Sequence, residues 1–236
     1  MPELRYLTNT MFNIYQTPFF TWKIEDAKMN YFHTPQAHNK VFAQYWGKQN
    51  RKFLTLINSN RSSLSRYKEL FSERVRAILH FGKTDEIDLY GFGWNKPPLF
   101  PYWFQKGVIQ QVYKGSVQDK YDTLSNYTFA FAYENCVLPG YITDKMFDCF
   151  FTGTIPIYLG APDITEYIPE ECFIHMRDFK NYDDLRGFLH ALSGKQIQEY
   201  KENGRRFVES EQYKQFTKEY FARVFAEAVL GATTEV

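Results

Sequence analysis

Residues 127–162 have the sequence YTFAFAYENCVLPGYITDKMFDCFFTGTIPIYLGAP, which predicts a strand, a loop, a helix and a second strand. Tyr127 to Tyr133 is an aromatic and apolar run with the length and composition of a buried strand. From Ile142 onward, apolar residues recur at the spacing of one helix face, and Gly153 ends that pattern. Two buried strands joined by a helix form the parallel βαβ unit.

The alternation of strands and helices continues on both sides of this unit. Further strands are predicted at 52–57, 87–90 and 172–176, and a helix from about Leu64 to Phe81. We therefore expect an α/β fold: a doubly wound, mostly parallel sheet of Rossmann-like architecture over residues 51–236. Residues 1–50 sustain no helical period and are predicted to be a separate N-terminal segment.

The composition of the chain limits the partners and the compartment that we expect for it. A formal net charge of +1 gives no overall attraction to nucleic acid or to an anionic membrane. We find no apolar run of membrane-spanning length, so the expectation is a chain without a membrane span. Three cysteines without a CxxC motif favour a reducing compartment, and we expect a cytoplasmic, bacterial-type protein.

Ligands of doubly wound sheets bind beyond the carboxyl ends of the strands, and the loop after Tyr133 is rich in polar groups. Glu134 has the chemistry to bond ribose hydroxyls, although an acid here could equally well terminate a strand. Lys145 near a helix N-terminus is unfavourable unless an anion neutralises it, whereas Asp144 is favourable there without any ligand. Arg66, predicted to lie in the first turn of another helix at the same edge, is a second candidate cation for a diphosphate.

The ordered segments ENC, GYITDK, FD and GTIPIYLGAP resemble the donor-site signature of the family 10 glycosyltransferases, the α-1,3/1,4-fucosyltransferases that use GDP-fucose. The resemblance implies one Rossmann-like half of a GT-B fold. It also implies that Arg66 binds the donor phosphates, and that Asn135 and Tyr141 line the sugar and phosphate pocket. Asn60 is expected to lie close to the guanosine.

The resemblance assigns the catalytic role to Asp144. The family's usual residue there is Glu, which contacts the fucose and stabilises its oxocarbenium-like charge, and Asp is one methylene shorter. Lys145 would stabilise the charge that develops on GDP as it leaves. The chain has no DxD motif, the usual diphosphate–metal site of metal-dependent glycosyltransferases, so we expect neither a metal nor another cofactor.

Family enzymes also have an acceptor domain that supplies a general base, and the fifty or so residues before the donor domain are too few for it. Residues 1–50 are therefore expected to be a remnant of an acceptor domain or a linker from one, and residues 51–236 the GDP-sugar donor-binding domain. The resemblance implies an inverting transfer of fucose from GDP-fucose to a GlcNAc- or Glc-containing glycan. A second chain could supply the acceptor domain. The alternative is a non-catalytic GDP-sugar-binding module or one part of a split enzyme. Family enzymes of animals lie in the Golgi lumen, which would apply here only if an anchor is missing from this chain.

Overall fold

The computed structural model describes residues 36–61, 68–96 and 102–223, together with the short strands β1 (Lys23–Ile24) and β2 (Met29–Asn30). These two strands pair antiparallel. The domain boundary predicted at residues 50 and 51 stays a prediction.

Five parallel strands form the central sheet in the order β4-β3-β5-β6-β7. They are β3 (Lys52–Ile57), β4 (Ile87–Tyr90), β5 (Tyr127–Tyr133), β6 (Ile155–Leu159) and β7 (Ile174–His175). In chain order, β3 is the first strand of this sheet and β4 lies on one side of it. The chain then crosses back, so that β5, β6 and β7 lie on the other side. This reversal places the topological switch point between β3 and β5, and the expected Rossmann-like α/β fold is confirmed.

Helices cover both faces of the sheet. They are α1 (Ala43–Trp46), α2 (Phe71–Gly82), α3 (Lys106–Val112), α4 (Lys120–Ser125), α5 (Asp144–Thr152), α6 (Tyr182–Ala191) and α7 (Gly194–Val208). Short 3₁₀ segments lie at 102–105, 164–166, 170–172, 176–178 and 212–216. None of the described helices combines the length and the apolar character needed to cross a membrane.

Alternation along β5 explains how the two faces are filled. Phe129, Phe131 and Tyr133 belong to the core under α2, whereas Ala132 belongs to the core under α5. The small alanine leaves room for the phenylalanines that α5 brings to its face, among them Phe147, Phe150 and Phe151. The high aromatic content therefore fills two layers of core around one sheet.

The helix after β3 starts later than the sequence predicts. The expected start near Leu64 falls within residues 62–67, outside the described part of the chain, but residues 68–70 are described and are not helical. Leu70 N donates to Asn135 O, and Val137 N donates to Lys68 O, so this segment pairs with the loop after β5. Helix α2 begins only at Phe71, because tertiary hydrogen bonds take the backbone groups that a longer helix would use.

Candidate functional site

A cavity of about 420 Å³ opens at the carboxyl edge of the sheet, at the switch point between β3 and β5. The ends of β3 and β4, the segment before α4 and the first turn of α5 form its wall. Ten residues line it: Ile57, Asn58, Ser59, Gly91, Phe92, Ser116, Val117, Lys120, Asp144 and Lys145. Its position agrees with the general location of ligand sites in open parallel sheets.

Glu134 lies beneath this cavity rather than on its wall. Its side chain is fully buried, and it accepts hydrogen bonds from Thr143 N at 2.7 Å and from Thr143 Oγ1 at 2.8 Å. Lys145 Nζ lies 2.8 Å from its second oxygen. The carboxylate therefore fixes the start of α5 and the Lys145 ammonium, because three donors converge on it. The contact with Thr143 N fits the alternative in which Glu134 ends a strand, and its predicted contact with a ribose stays a prediction.

Lys145 lines the cavity, as the sequence predicts, but it also has partners within the protein. Its ammonium bonds Thr143 Oγ1 at 2.7 Å in addition to Glu134. About a sixth of the side chain is exposed, at 16%. A lysine has three donors, so the ammonium keeps capacity for an anion while the two protein contacts hold its position.

A lysine bridges two carboxylates at the joint between α4 and α5. Lys120 Nζ lies 2.8 Å from Asp144 Oδ2 and 2.5 Å from Asp148 Oδ2. Asp144 lines the cavity and is half exposed, whereas Asp148 is buried. Burial alone would raise the pKa of Asp144, but Lys120 and then Lys145 hold it well below its usual range. Burial raises the pKa of Asp148 to about 6, even though Lys120 opposes that shift.

The sequence-predicted residues Asn135 and Tyr141 come together next to this site. Asn135 is exposed, and its Nδ2 lies 3.4 Å from the hydroxyl of the buried Tyr141. Burial raises the pKa of Tyr141, so its hydroxyl stays protonated and can donate. Neither residue is among those that line the cavity, so their predicted contact with a ligand stays a prediction.

The structure describes Asn60, a predicted site residue, but not Arg66. Asn60 Nδ2 donates to Gly93 O at 3.0 Å and to Lys96 O at 3.3 Å, so its amide closes the loop after β4. It is not on the cavity wall. Arg66 lies outside the described residues, and its predicted role stays a prediction.

Arg74 is the residue that the sequence analysis missed. It lies in the first turn of α2, is only 3% exposed, and reaches under the ends of β3 and β5. Its guanidinium donates to Asn58 Oδ1 at 3.1 Å, to Tyr133 O at 2.8 Å and to Asn135 Oδ1 at 2.8 Å. Burial lowers the pKa of Arg74 to about 10, which still leaves the group charged at neutral pH.

The sequence contains a signal for Arg74. Phe71, Val75 and Ile78 form the buried stripe of α2, and Arg74 occupies the same face at i+3 from Phe71. A charged residue on a core-facing stripe is rarely buried unless polar groups receive it. Those polar groups, the strand-end carbonyl and the two asparagine amides, are far away in sequence and are visible only in the fold.

The described residues contain no group of three or more His, Cys, Asp and Glu side chains placed to hold a metal ion. All three cysteines, Cys136, Cys149 and Cys172, are free and buried. Burial raises the pKa of the Cys136 thiol, in the loop after β5, to about 11. A buried thiol with a raised pKa is a poor nucleophile at neutral pH.

Comparisons with known proteins identify the family of this chain. Residues 48–220 match the sequence model of "Glycosyltransferase family 10 (fucosyltransferase) C-term". The chain is 34% identical over 86 residues to the alpha-(1,3)-fucosyltransferase FucT of Helicobacter pylori, a match that covers 36% of this chain and 18% of the relative. It is 34% identical over 118 residues to a mouse 4-galactosyl-N-acetylglucosaminide 3-alpha-L-fucosyltransferase, covering 49% of this chain and 28% of the relative.

Solved structures show the same architecture. An alpha1,3-fucosyltransferase crystallised with GDP superposes with a TM-score of 0.50 at 20% identity, over 78% of this chain and 48% of that one. WaaG, a glycosyltransferase of lipopolysaccharide biosynthesis, gives a TM-score of 0.53 at 12% identity, over 84% and 55%. The alignments thus span about half the length of these structures, and less of the curated relatives. The chain belongs to glycosyltransferase family 10, the fucosyltransferase family, and carries its C-terminal region.

Proposed function

We propose that this chain is the donor-binding part of a fucosyltransferase and that it binds GDP-fucose in the carboxyl-edge cavity. The observation that carries the proposal is the presence of Lys120, Asp144 and Lys145 on one cavity wall at the switch point. Two ammonium groups and the N-terminus of α5 meet there, and both favour a diphosphate. The alpha1,3-fucosyltransferase with the same architecture was crystallised with GDP, a guanosine nucleotide.

The wall opposite the lysines suits the nucleoside. Phe92, in the loop after β4, is 66% exposed and lines the cavity, an unusual setting for a large apolar side chain. The Arg61 guanidinium lies 5.8 Å from the centre of its ring. A flat aromatic surface beside a cation can stack a purine base while the diphosphate lies towards the lysines.

In the proposed reaction the acceptor hydroxyl attacks the anomeric carbon of fucose and GDP departs with inversion. Asp144 faces the sugar and stabilises the positive charge that develops on it, because Lys120 and Lys145 keep this carboxylate ionised. Lys145 stabilises the negative charge on the departing diphosphate. The base that activates the acceptor would belong to an acceptor domain, as in the two-domain fold that the family resemblance implies. No step requires a metal.

A second candidate is a GDP-sugar-binding module without catalysis. It rests on the same observation, Lys120, Asp144 and Lys145 on one cavity wall, which accounts for binding of a GDP-sugar without requiring its transfer. The two functions share the cavity and differ only in turnover.

The experiment measures GDP release from GDP-fucose, with and without an N-acetyllactosamine-type acceptor. Acceptor-dependent GDP release that survives EDTA supports the transferase. Saturable GDP-fucose binding without acceptor-dependent release supports the module. Loss of activity on adding EDTA would overturn the metal-free mechanism.

A further inference from the structure

A second cavity, of about 360 Å³, lies at the opposite, amino edge of the sheet. Arg51 precedes β3, Thr128 lies near the start of β5, and Gly153 precedes β6; all three line it. The wall is completed by the turn after α1 and by one face of α7. This cavity is therefore separate from the one proposed for the donor, at the carboxyl ends of the same strands.

The charged residues that line this cavity are all positive. It includes Lys48, Arg51 and Lys201 and neither an aspartate nor a glutamate. Lys48 is paired with Asp122 at 2.8 Å, outside the lining. Among the described residues, Arg51 and Lys201 make no ion pair with a carboxylate. Two cations thus share one cavity without a counter-charge from the part of the chain that the structure describes.

The Arg51 guanidinium donates its hydrogen bonds to backbone carbonyls and remains positively charged. Five carbonyl oxygens accept from its guanidinium, and they join the turn after α1 to the segments around β5 and β6. They belong to Tyr45, Lys48, Tyr127, Thr152 and Gly153, at 2.7 to 3.3 Å. Burial lowers the pKa of Arg51 to about 10, so the group remains protonated at neutral pH and leaves its positive field in the cavity.

Lys201 is the group free to bind a ligand. Its ammonium lies 5.4 Å from the centre of the Trp46 ring, and Arg205 lies 5.6 Å from that centre. Burial, and after it the charge of Arg51, lowers the pKa of Lys201 to about 8, with Glu202 opposing. A lysine in that position is stabilised by any anion that enters the cavity.

The turn after α1 adds backbone donors. No described residue accepts a hydrogen bond from the N–H groups of Gln49, Asn50 or Arg51. Asn50 has a φ of 55°, in the left-handed region. Successive N–H groups around a left-handed residue form the concave nests that hold anions in many proteins. All three residues line the cavity with Lys201.

We propose that the amino-edge cavity is a binding site for a phosphate group, held by the Lys201 ammonium and the N–H groups of residues 49–51, in the field of Arg51. Two sources carry this chemistry: a free phosphate or small phosphate ester, and the headgroup of an anionic lipid. The site is independent of the proposed donor site, so neither proposal depends on the other.

The test titrates inorganic phosphate into the full-length protein at constant ionic strength, followed by tryptophan emission. Trp46 is the reporter, because it lies against Lys201, and a Trp46→Phe variant identifies its share of the signal. We expect saturation for the wild type and binding about tenfold weaker or more for Lys201→Met, since a charged hydrogen bond is lost. Lys195→Met, on the same helix, is the matched control, because Lys195 is 86% exposed and lies outside the cavity.

A pH series gives a second readout that does not depend on any variant. Phosphate affinity should fall between pH 7 and pH 9, as Lys201 loses its proton beside Arg51, Lys48, Arg205 and Glu202. The proposal is overturned by an emission change that does not saturate at constant ionic strength, or by equal affinity in the wild type and Lys201→Met. Should Lys201→Met not fold, Lys201→Gln and the pH series decide.

Vesicle sedimentation then distinguishes the two sources. Binding to phosphatidylglycerol vesicles, absent with phosphatidylcholine and reversed by phosphate, assigns the site to a lipid headgroup. Saturation by phosphate without vesicle binding assigns it to a soluble phosphate. GDP affinity should be the same in Lys201→Met and the wild type, because the donor cavity lies at the other edge; a large common loss would contradict two separate sites.

Discussion

Arg74 determines which way two asparagine side chains face. Arginine has donors and no acceptor, so Asn58 and Asn135 must turn their oxygens towards it. Their Nδ2 groups are then directed away from the guanidinium. Asn135 Nδ2 lies near the Tyr141 hydroxyl, whereas Asn58 Nδ2 has no partner among the described residues and belongs to a side chain on the cavity wall. Arg74 thus orients the Asn58 amide so that its N–H donor is free for a ligand, and the positive charge of Arg74 polarises that amide.

Asn58→Asp should uncouple stability from ligand affinity. The new carboxylate has almost the same shape and pairs with the buried Arg74, so the melting temperature should be kept or rise. Its second oxygen replaces an N–H donor on the cavity wall and repels a diphosphate. We expect GDP affinity to fall by about tenfold or more, on the scale of a charged hydrogen bond.

The control for this variant is Asn126→Asp, which adds the same charge at the opposite edge of the sheet, before β5. GDP affinity should not change there. Unchanged affinity in Asn58→Asp as well, with the fold intact, would remove Asn58 from the site.

Asp144→Asn should lower turnover by about tenfold or more if the carboxylate stabilises positive charge on the sugar. Asp144→Glu should keep or improve turnover, because it restores the residue typical of the family. The matched control is Asp183→Asn at the start of α6, an 84% exposed carboxylate outside the cavity. Steady-state rates of GDP release measure all three, and wild-type turnover in Asp144→Asn would exclude the role.

At the level of residues, the sequence predicted Lys145, Asp144 and Glu134 at the carboxyl edge, and it left open whether Glu134 contacts a ligand or ends a strand. Position after a strand identifies which residues reach the carboxyl edge, and that inference holds for all three. It does not distinguish a side chain on the wall from one beneath it. Glu134 lies beneath the wall because Thr143 and Lys145 fold back over its carboxylate.

Between elements, the loop after β4 approaches the end of β3 closely. Gly91 has a φ of 129°, and a Cβ placed on it would lie 2.0 Å from Asn58 O. We therefore expect Gly91→Ala to lower the free energy of unfolding by at least about 2 kcal/mol, through strain and displaced backbone. Chemical denaturation measures it.

Gly107→Ala is the comparison for that variant. A Cβ on Gly107, inside α3, meets nothing within 4 Å. Alanine there should stabilise the protein by about 0.5–1 kcal/mol, the usual helix preference. Equal effects of the two substitutions would show that the approach of the β4 loop to β3 is not tight.

The joint between α4 and α5 should make stability depend on pH. Burial raises the folded-state pKa of Asp148 to about 6, above the ordinary value of 3.8. Its contribution to stability is therefore full below about pH 4 and is lost as the pH rises through about 6. We expect the unfolding free energy of the wild type, relative to that of Asp148→Asn, to decline between pH 4 and pH 7. A difference independent of pH would mean that Asp148 titrates normally.

Strands were easier to predict than helix starts. The bounds of β3, β4 and β5 are those that the sequence predicts. Central strand β5 is an aromatic and apolar run because both its faces are buried, whereas edge strand β4 alternates apolar and polar residues. The start of α2 is set instead by hydrogen bonds to the loop after β5, some 65 residues later in the chain. Local sequence contains no information on such a partner.

On the scale of the whole molecule, the sheet has two charged cavities at opposite ends of its strands. The carboxyl-edge cavity is lined by lysines together with the carboxylate of Asp144, whereas the described lining of the amino-edge cavity contains cations and no carboxylate. Chain reversal at the switch point explains the first cavity, and the sequence predicted it from the order of strands and helices. The second was not predicted, because it joins residues from α1, β5 and α7 that share no motif.

Isothermal titration of GDP into the folded protein, without metal, tests the central claim most directly. We predict saturable binding to one site, competed by GDP-fucose and weakened by Asn58→Asp but not by Asn126→Asp. Absence of heat or of saturation in well-folded protein would contradict a guanosine diphosphate site at the carboxyl edge of the sheet.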